Sequence, residues 1–276
     1  MDSYSNYSLL SNVKCEDVSY NHQIIKRTSL ESFTYHTHDR YEIIFLIKGK
    51  MKYDAEGRSY DLEVGDLVLT RPEVFHSIFP KEVTYYERYD VIVNEKLIEK
   101  SIRDRIPKMR DVFRCSGNER IFELFSKLDF YYGKFSDEEY AHLVLNIIEE
   151  VIYNLTLLDE DGERGSVNPL IDKATSYIRE HLTEISGIDE VSNALYITKS
   201  HLHHLFTKEL HMTPAKYILS KRLLLAEKKL RLGAKPTEIY TECGFDDYTT
   251  FFRNYKKYFG TPPSVATESG LRREII

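Results

Sequence analysis

The stretch CGFDDYTTFFRNYKKYFGTPPS, residues 243–264, decides the reading of this 276-residue chain. Its spacing Phe251-x₃-Tyr255-x₄-Gly260-x₂-Pro263 repeats an earlier one, Leu202-x₃-Phe206-x₄-His211-x₂-Pro214, at a constant offset of 49 residues. An offset kept at four positions marks two copies of one supersecondary unit.

Each copy reads as a short helix, a tight turn and a second helix. In the first, IDEVSNAL leads through a turn to TKSHLHHLFTKEL, with Thr198 placed to cap. In the second, Pro236 opens PTEIYTEC, Gly244 supplies the turn, and Asp246 or Asp247 caps the next helix. Helix-turn-helix units are built this way, with the second helix laid in the major groove of DNA. The expected bounds are 188–210 and 236–259.

Helical geometry turns Leu202, Leu205, Phe206 and Leu210 inward in the first copy, and Phe251, Tyr255, Tyr258 and Phe259 in the second. The opposite faces then carry Ser200, His203, His204 and Thr207, and Thr249, Phe252, Arg253 and Lys256. With Lys199 and Tyr248 at the helix starts, these are the candidate DNA contacts. Arg253 suits guanine O6 and N7, Lys256 a phosphate, and Phe252 a thymine methyl, while the histidines suit base or phosphate. Between the copies, TPAKYILSKRLLLAEKKLRLG reads as one helix ended by Gly233. Its length of roughly 28 Å, at 1.5 Å per residue, approaches the ~34 Å between successive major-groove faces.

Charge follows the same division. The whole chain carries −6, but residues from Asn168 onward hold 16 basic and 13 acidic side chains, leaving 22 and 31 before them. Between Lys199 and Lys257 the count is 12 to 6. An acidic first half joined to a locally basic second half fits an effector domain followed by a DNA-binding domain. A composition of 42% hydrophobic and 30% charged residues excludes a disordered chain. No apolar run approaches a membrane span, and MDSYSNYSLLSN lacks a signal peptide's basic and apolar regions. Three scattered cysteines, Cys15, Cys115 and Cys243, form no CxxC pair and fit a reducing compartment, so the cytoplasm is expected.

At Arg222-Leu-Leu-Leu-Ala226-x₃-Leu230, Cys243 to Lys257 and Tyr258-Phe-Gly-Thr-Pro-Pro-Ser264, the chain resembles the AraC/XylS family of bacterial regulators. The resemblance covers roughly residues 168–266. It implies a bipartite helix-turn-helix domain that binds double-stranded promoter DNA and usually activates, often by touching RNA polymerase. Ser192 and Tyr240 depart from the small residue usual in each first helix, His211 from a usual glycine, and Ala266-Thr267 from a usual Tyr-Arg.

The first half reads differently. YEIIFLIKG, MKYDAEGRSYDL, GDLVLTRP and VTYYERYDVIV are strand-like segments, the last with Val83, Tyr85, Glu87, Tyr89, Val91 and Val93 on one face. Short strands at close spacing suggest a small barrel or jelly roll over residues 20–93. Helical segments occupy residues 94–158: NEKLIEKSIRDR, NERIFELFSKLDFYY, and a long helix begun by the capping box Ser136/Glu139. Its stripe of Leu143, Ile147, Val151 and Leu158 serves either burial against the barrel or a dimer contact. The expected domains are 1–160 for effector binding and dimerisation, a linker at 161–168, and 169–270 for DNA binding.

His36, His38, Glu42 and Gly49 have the spacing HxHx₃Ex₆G, and His76 lies eleven residues beyond Gly65. This resembles the cupin barrel, which implies a metal held by the three histidines and the glutamate. Imidazole and carboxylate donors suit iron, manganese, nickel or zinc. Regulators of the resembled family commonly carry such a domain without metal, its polar groups lining an effector cavity. His36, His38, Tyr41, Glu42, His76 and Tyr85 are therefore the candidate effector contacts, with neither metal nor cofactor expected. Tyr35, Tyr41, Tyr85, Tyr86 and Tyr89 read either as aromatics lining a pocket suited to a sugar or another hydroxylated small molecule, or, for most of them, as strand residues packing on the helices. The reading is a dimeric transcription regulator, not an enzyme, with a cupin-like β-barrel, a helical appendage and an all-α C-terminal domain. The competing reading is a metal-dependent cupin enzyme or metal sensor.

Overall fold

The computed structural model describes residues 6–29, 35–106, 110–158 and 166–266. The chain divides into two compact units, the first built mostly from residues up to Ser166 and the second mostly from Val167 onward.

The first unit is a two-sheet barrel. Its strands are β1 (Tyr7–Lys14), β2 (Val18–Ile25), β3 (Tyr41–Lys48), β4 (Met51–Ala55), β5 (Arg58–Leu62), β6 (Asp66–Thr70), β7 (His76–Pro80) and β8 (Tyr86–Val93). After a short helix α1 (Lys100–Arg103) come β9 (Val112–Arg114), α2 (Glu119–Tyr131), α3 (Asp137–Leu155) and β10 (Ser166–Val167). The larger sheet runs β1-β2-β8-β3-β6-β9 and the smaller β10-β5-β4-β7. Glu56 and Gly57, at φ 50° and 82°, supply the two left-handed residues of the β4–β5 hairpin.

Strand β3 shows why its sequence is an unbroken apolar run. Tyr41, Ile43 and Phe45 enter a core shared with the helices, whereas Ile44 and Leu46 enter the core between the sheets. A strand covered on both faces needs no polar alternation. Gly49 then ends it at φ 122°, where a Cβ would meet the Tyr85 carbonyl oxygen at 2.9 Å.

Helices α2 and α3 cover the outer face of the larger sheet. Phe125 stacks on Phe45 at 4.8 Å between ring centroids, and Leu124, Leu128, Val144, Ile148 and Ile152 are fully buried beside them. Each such side chain removes enough apolar surface from water to contribute about 1.5–3 kcal/mol. Ser136 caps α3 with Glu139 in a reciprocal capping box. Of the α3 stripe, Ile147 and Val151 are buried in the sheet–helix core and Leu143 and Leu158 pack against it, so the stripe serves burial.

The barrel is wider than residues 20–93. β1 forms an edge before it, β9 closes the opposite edge after it, and β10 takes two expected linker residues into the smaller sheet. Residues 161–165 of that linker, with residues 159 and 160 before it, lie outside the described residues. The segment expected as one helix over NEKLIEKSIRDR is a 3₁₀ turn at Glu95–Leu97 and then α1. Ile98, extended at ψ 130°, separates the two.

The second unit is helical: α4 (Pro169–Glu180), α5 (Ile188–Ala194), α6 (Lys199–Leu210), α7 (Pro214–Arg231), α8 (Pro236–Ile239), α9 (Tyr248–Phe259) and α10 (Pro263–Ala266). A 3₁₀ turn, Thr241–Cys243, extends α8. Among the described residues no helix is long and apolar enough to cross a membrane, and Cys15, Cys115 and Cys243 form no disulfide.

Candidate DNA-reading helices and effector cup

Local rules start and stop both recognition helices. The Thr198 hydroxyl accepts from His201 N at 3.1 Å to begin α6, and the Asp247 carboxylate accepts from Thr250 N at 2.8 Å to begin α9. Hydrogen bonds from Thr250, with the Arg253 guanidinium adding to them, hold the Asp247 carboxyl below its ordinary value. At their far ends His211 and Gly260 adopt φ 52° and 75°, the left-handed conformation that stops a helix.

Packing fixes which faces remain open. Leu202, Leu205, Phe206 and Leu210 are buried on α6, and Phe251, Tyr255 and Phe259 on α9. The linking helix α7 meets both: Phe206 lies edge-to-face on Tyr217 at 5.5 Å, while Leu223, Leu224, Ala226 and Leu230 share a core with Phe251, Tyr255 and Phe259. Arg222 of α7 donates to the Leu182 and Ile185 carbonyls at 2.9 and 2.5 Å, tying the helix to the chain between α4 and α5. Two of the departures noted from the resembled family are absorbed locally, and Thr267 lies outside the described residues. Ser192 donates to Asp189 O at 2.9 Å, and Tyr240 meets Tyr248 edge-to-face at 5.9 Å.

On α6, Lys199, Ser200, His203, His204 and Thr207 are all exposed. Together with Ile188 they line one depression of about 490 Å³. Lys199 is ion-paired with Asp189 of α5, and Thr207 donates to the His203 carbonyl at 2.9 Å. On α9, Thr249, Arg253 and Lys256 are exposed and Phe252 half-buried. Tyr248 packs against Phe251 and Phe252 at 6.0 and 6.1 Å, so part of its ring supports the helix start. Three exposed residues on these helices escaped the sequence reading, His201, Lys208 and Lys257. Their signal was charge and chemistry at the margins of the outward faces.

In the barrel the structure gathers His36, His38, Glu42 and His76, with one potential ligand atom from each lying within 4.8 Å of the others. Glu42 and His76 are buried, their carboxylate and Nε2 atoms 2.8 Å apart. His76 Nδ1 lies 2.9 Å from the Val74 carbonyl oxygen. A carbonyl only accepts, so Nδ1 carries the proton there. Nε2 is then the nitrogen that faces the Glu42 carboxylate. The donor set fits a transition-metal ion, and a ligating histidine held by a backbone carbonyl is the usual arrangement. Such an ion would be held by these four side chains and would offer a Lewis-acidic contact to a ligand oxygen.

Tyr41 and Tyr85 do not join this group. Alternation along β3 puts Tyr41 on the opposite face from Glu42, in the sheet–helix core. Burial raises its phenol above the ordinary range. Tyr85 precedes β8 and is exposed, with Lys48 Nζ 5.4 Å from its ring. Tyr89 likewise belongs to the sheet–helix core.

The inner face of β8 instead carries Tyr86, Arg88 and Asp90. Arg88 donates to Tyr86 Oη at 2.7 Å and to Asp90 Oδ2 at 2.8 Å. Turned so that its oxygen meets the guanidinium, the Gln23 amide accepts from Arg88 Nε and Nη2 at 2.6 Å each and donates to Tyr7 Oη at 3.0 Å. Alternation in VTYYERYDVIV contained this set as the face complementary to Glu87 and Tyr89.

Comparison with known proteins gives the same division. Residues 24–128 match the AraC-like ligand-binding domain, and residues 191–269 match a helix-turn-helix domain. The uncharacterized HTH-type transcriptional regulator YbfI of Bacillus subtilis is 24% identical over 230 residues, 79% of this chain and 81% of that one. The probable transcriptional regulator LumQ of Photobacterium leiognathi is 25% identical over 242 residues, 85% and 92% of the two chains. The lactose operon transcription activator of Staphylococcus xylosus is 22% identical over 262 residues, 88% and 84% of the two.

Proposed function

The chain belongs to the AraC/XylS family of transcriptional regulators, with a ligand-binding domain and a helix-turn-helix domain, and on that premise we propose that it activates promoters in response to a small hydroxylated effector such as a sugar. The carrying observation is the pairing of α6 and α9: each buries an apolar face and leaves a polar one in the open. The sites of DNA contact are Lys199, Ser200, His203, His204 and Thr207 on the first helix, and Thr249, Phe252, Arg253 and Lys256 on the second, with Tyr248 supporting its start. No catalytic step is assigned, the protein works in the cytoplasm, and activation proceeds through RNA polymerase.

The effector reading rests on the mixed donors and acceptors of the cup. Glu42 and His76 stand with Gln23, Arg88 and Asp90 on strands, His36 and His38 precede β3, and sugar hydroxyls both donate and accept. The related lactose operon activator supports the same class. An effector acts by binding one state of the N-terminal domain more tightly, which shifts the population able to engage DNA. Footprinting of the full-length protein on genomic promoter fragments, with and without a panel of sugars, tests this. Protection that no member of the panel alters would refute the sugar reading, and the absence of any protected sequence would refute the regulator reading.

The convergence of four ligating side chains favours a second reading, in which a metal ion in the cup senses or anchors the effector. A homodimer is part of the first reading, but with the α3 stripe buried it must use another surface.

A further inference from the structure

The two recognition helices differ in the kind of charge they present. Helix α9, YTTFFRNYKKYF, has three cations, Arg253, Lys256 and Lys257, and no carboxylate. Helix α6, KSHLHHLFTKEL, exposes His201, His203 and His204. Its two lysines are partnered, Lys199 by Asp189 and Lys208 by Glu209 at 3.5 Å. Fixed positive charge for the phosphate backbone is therefore concentrated on α9. On α6 it is neutralised, and the groups left are imidazoles.

Resting on the assignment of α6 and α9 as the DNA-reading helices, we infer that DNA recognition by α6 is coupled to protonation of His203 and His204. A neutral imidazole offers one donor and one acceptor, while an imidazolium offers two donors and a charge. Guanine O6 and N7 and the phosphate oxygens only accept. The DNA-bound helix therefore favours the protonated rings, and binding takes up protons. By linkage, the state that binds more protons gains as pH falls, so affinity rises on acidification through the range in which imidazoles charge.

The surroundings of the two rings are compatible with this. The depression they line is completed by Ser200, Thr207, Ile188 and Lys199, and Thr207 Oγ1 lies 3.5 Å from His203 Nδ1. The charged groups of α6 are Lys199, Lys208 and Glu209, with His201 also titratable. Those of α5 are Asp189, held by Lys199, and Glu190, which accepts from Ser186 N at 3.1 Å. Helices α4 and α7 meet α6 at its buried Leu202, Phe206 and Leu210 side. The charged groups of α4 are Asp172, Lys173, Arg179 and Glu180, all exposed, and the first turn of α7 carries Lys216. The α9 cations keep their charge throughout the interval, so the second half of the site supplies a pH-independent anchor.

The test uses the full-length protein and a duplex that it selects from a random-sequence pool at neutral pH. Fluorescence anisotropy at constant ionic strength measures affinity from about pH 6 to about pH 8. The expected result is a rise in affinity on acidification on the order of tenfold for each histidine engaged. His203→Gln/His204→Gln is expected to abolish that slope, and base substitutions in the α6 half of the site to flatten it. Substitutions in the α9 half should leave the slope in place. A flat wild-type profile, with Arg253→Ala still weakening binding, overturns the coupling but leaves the recognition helices standing. A double variant that keeps the wild-type slope overturns it as well, since the protons would then bind elsewhere. If neither Arg253→Ala nor the double variant changes binding, the recognition reading fails and takes the coupling with it.

Discussion

Asp129 offers the sharpest test of how the helical layer is fastened to the barrel. Its carboxylate, on the last turn of α2, accepts from the Ser11 hydroxyl on β1, from Tyr20 Oη at 3.2 Å and His22 Nδ1 at 2.9 Å on β2, and from Tyr89 Oη at 2.7 Å on β8. Burial works against the charge, but the bonds from His22, Ser11 and Tyr89 outweigh it and hold the carboxyl below its ordinary value. In Asp129→Ala the four donors do not suffer equally. Ser11 and Tyr20 keep each other at 2.7 Å, and His22 keeps a longer contact to Glu87 at 3.3 Å. Tyr89 loses its partner, and His22 loses its shorter one. Two bonds to a charged acceptor, at about 1.5–3 kcal/mol each, would cost about 3–6 kcal/mol if fully buried. With the Asp129 side chain 34% exposed, screening and replacement by water reduce this to about 2–4 kcal/mol. That is a large part of an ordinary domain's stability.

The assay is urea unfolding of the full-length protein, monitoring the transition of the first unit separately because two units need not unfold together. Since the folded-state value is depressed, this stabilisation is present above the unfolded carboxyl value and is lost as pH falls through the folded one. Asp129→Asn should be destabilised near neutrality and should lack that acid-dependent loss. Variants with the wild-type midpoint at neutral pH would refute the claim that this carboxylate fastens α2 to three strands.

Arg253→Ala is expected to cost about 1–3 kcal/mol on the selected site and to relax base preference at one position, whereas Lys256→Ala should weaken all sequences alike and lower the salt slope. Binding isotherms on matched and mismatched duplexes separate the two, and an unchanged preference for Arg253→Ala would count against the orientation of α9. Tyr196→Gly relieves a left-handed residue at φ 55° that is 95% exposed, and should raise the thermal stability of the second unit by about 0.5–1 kcal/mol. A loss of stability would show that the ring is held by contacts worth more than the strain. Protein purified without a metal-affinity tag should carry less than one transition-metal equivalent and bind DNA unchanged after chelation, while His38→Ala or Glu42→Ala blunts the effector response. One tightly held ion per chain in elemental analysis would move the metal reading to the front. Sedimentation of the full-length protein at micromolar concentration should show a dimer, and a monomer with and without target DNA would remove dimerisation from the mechanism.

The second unit was the more legible in sequence because its signals are local. Caps at Thr198 and Asp247, stops at His211 and Gly260, and apolar residues spaced for one helix face all act within a few turns. Such signals locate a helix, its buried side and its open side together. The barrel depends on pairings between distant segments. β3 lies between β6 and β8, and β1 pairs with β2 before reaching β8. β1 was missed because Leu9 and Leu10 are both exposed on an edge strand with a bulge between Leu9 and Ser11, so its alternation is broken. β9, with three residues, is too short for any period to register.

Strand β8 shows where alternation runs out as a guide to function. It correctly separates Glu87, Tyr89, Val91 and Val93 from Tyr86, Arg88 and Asp90, but it does not say which set meets the helices and which meets the second sheet. Hydrophobicity cannot choose, because both faces are covered and both carry aromatic and charged residues. The choice is made by partners far away in sequence: Asp129 draws Tyr89 and His22 to the helical side, and Arg88 is left facing Gln23, Tyr86 and Asp90. The same alternation separates Tyr41 from Glu42 on β3. Grouping the tyrosines into one pocket therefore joined residues from opposite faces of the sheet. The effector cup arises from the strand faces on which its polar residues stand, and those faces become distinguishable only when α2 and α3 occupy one side.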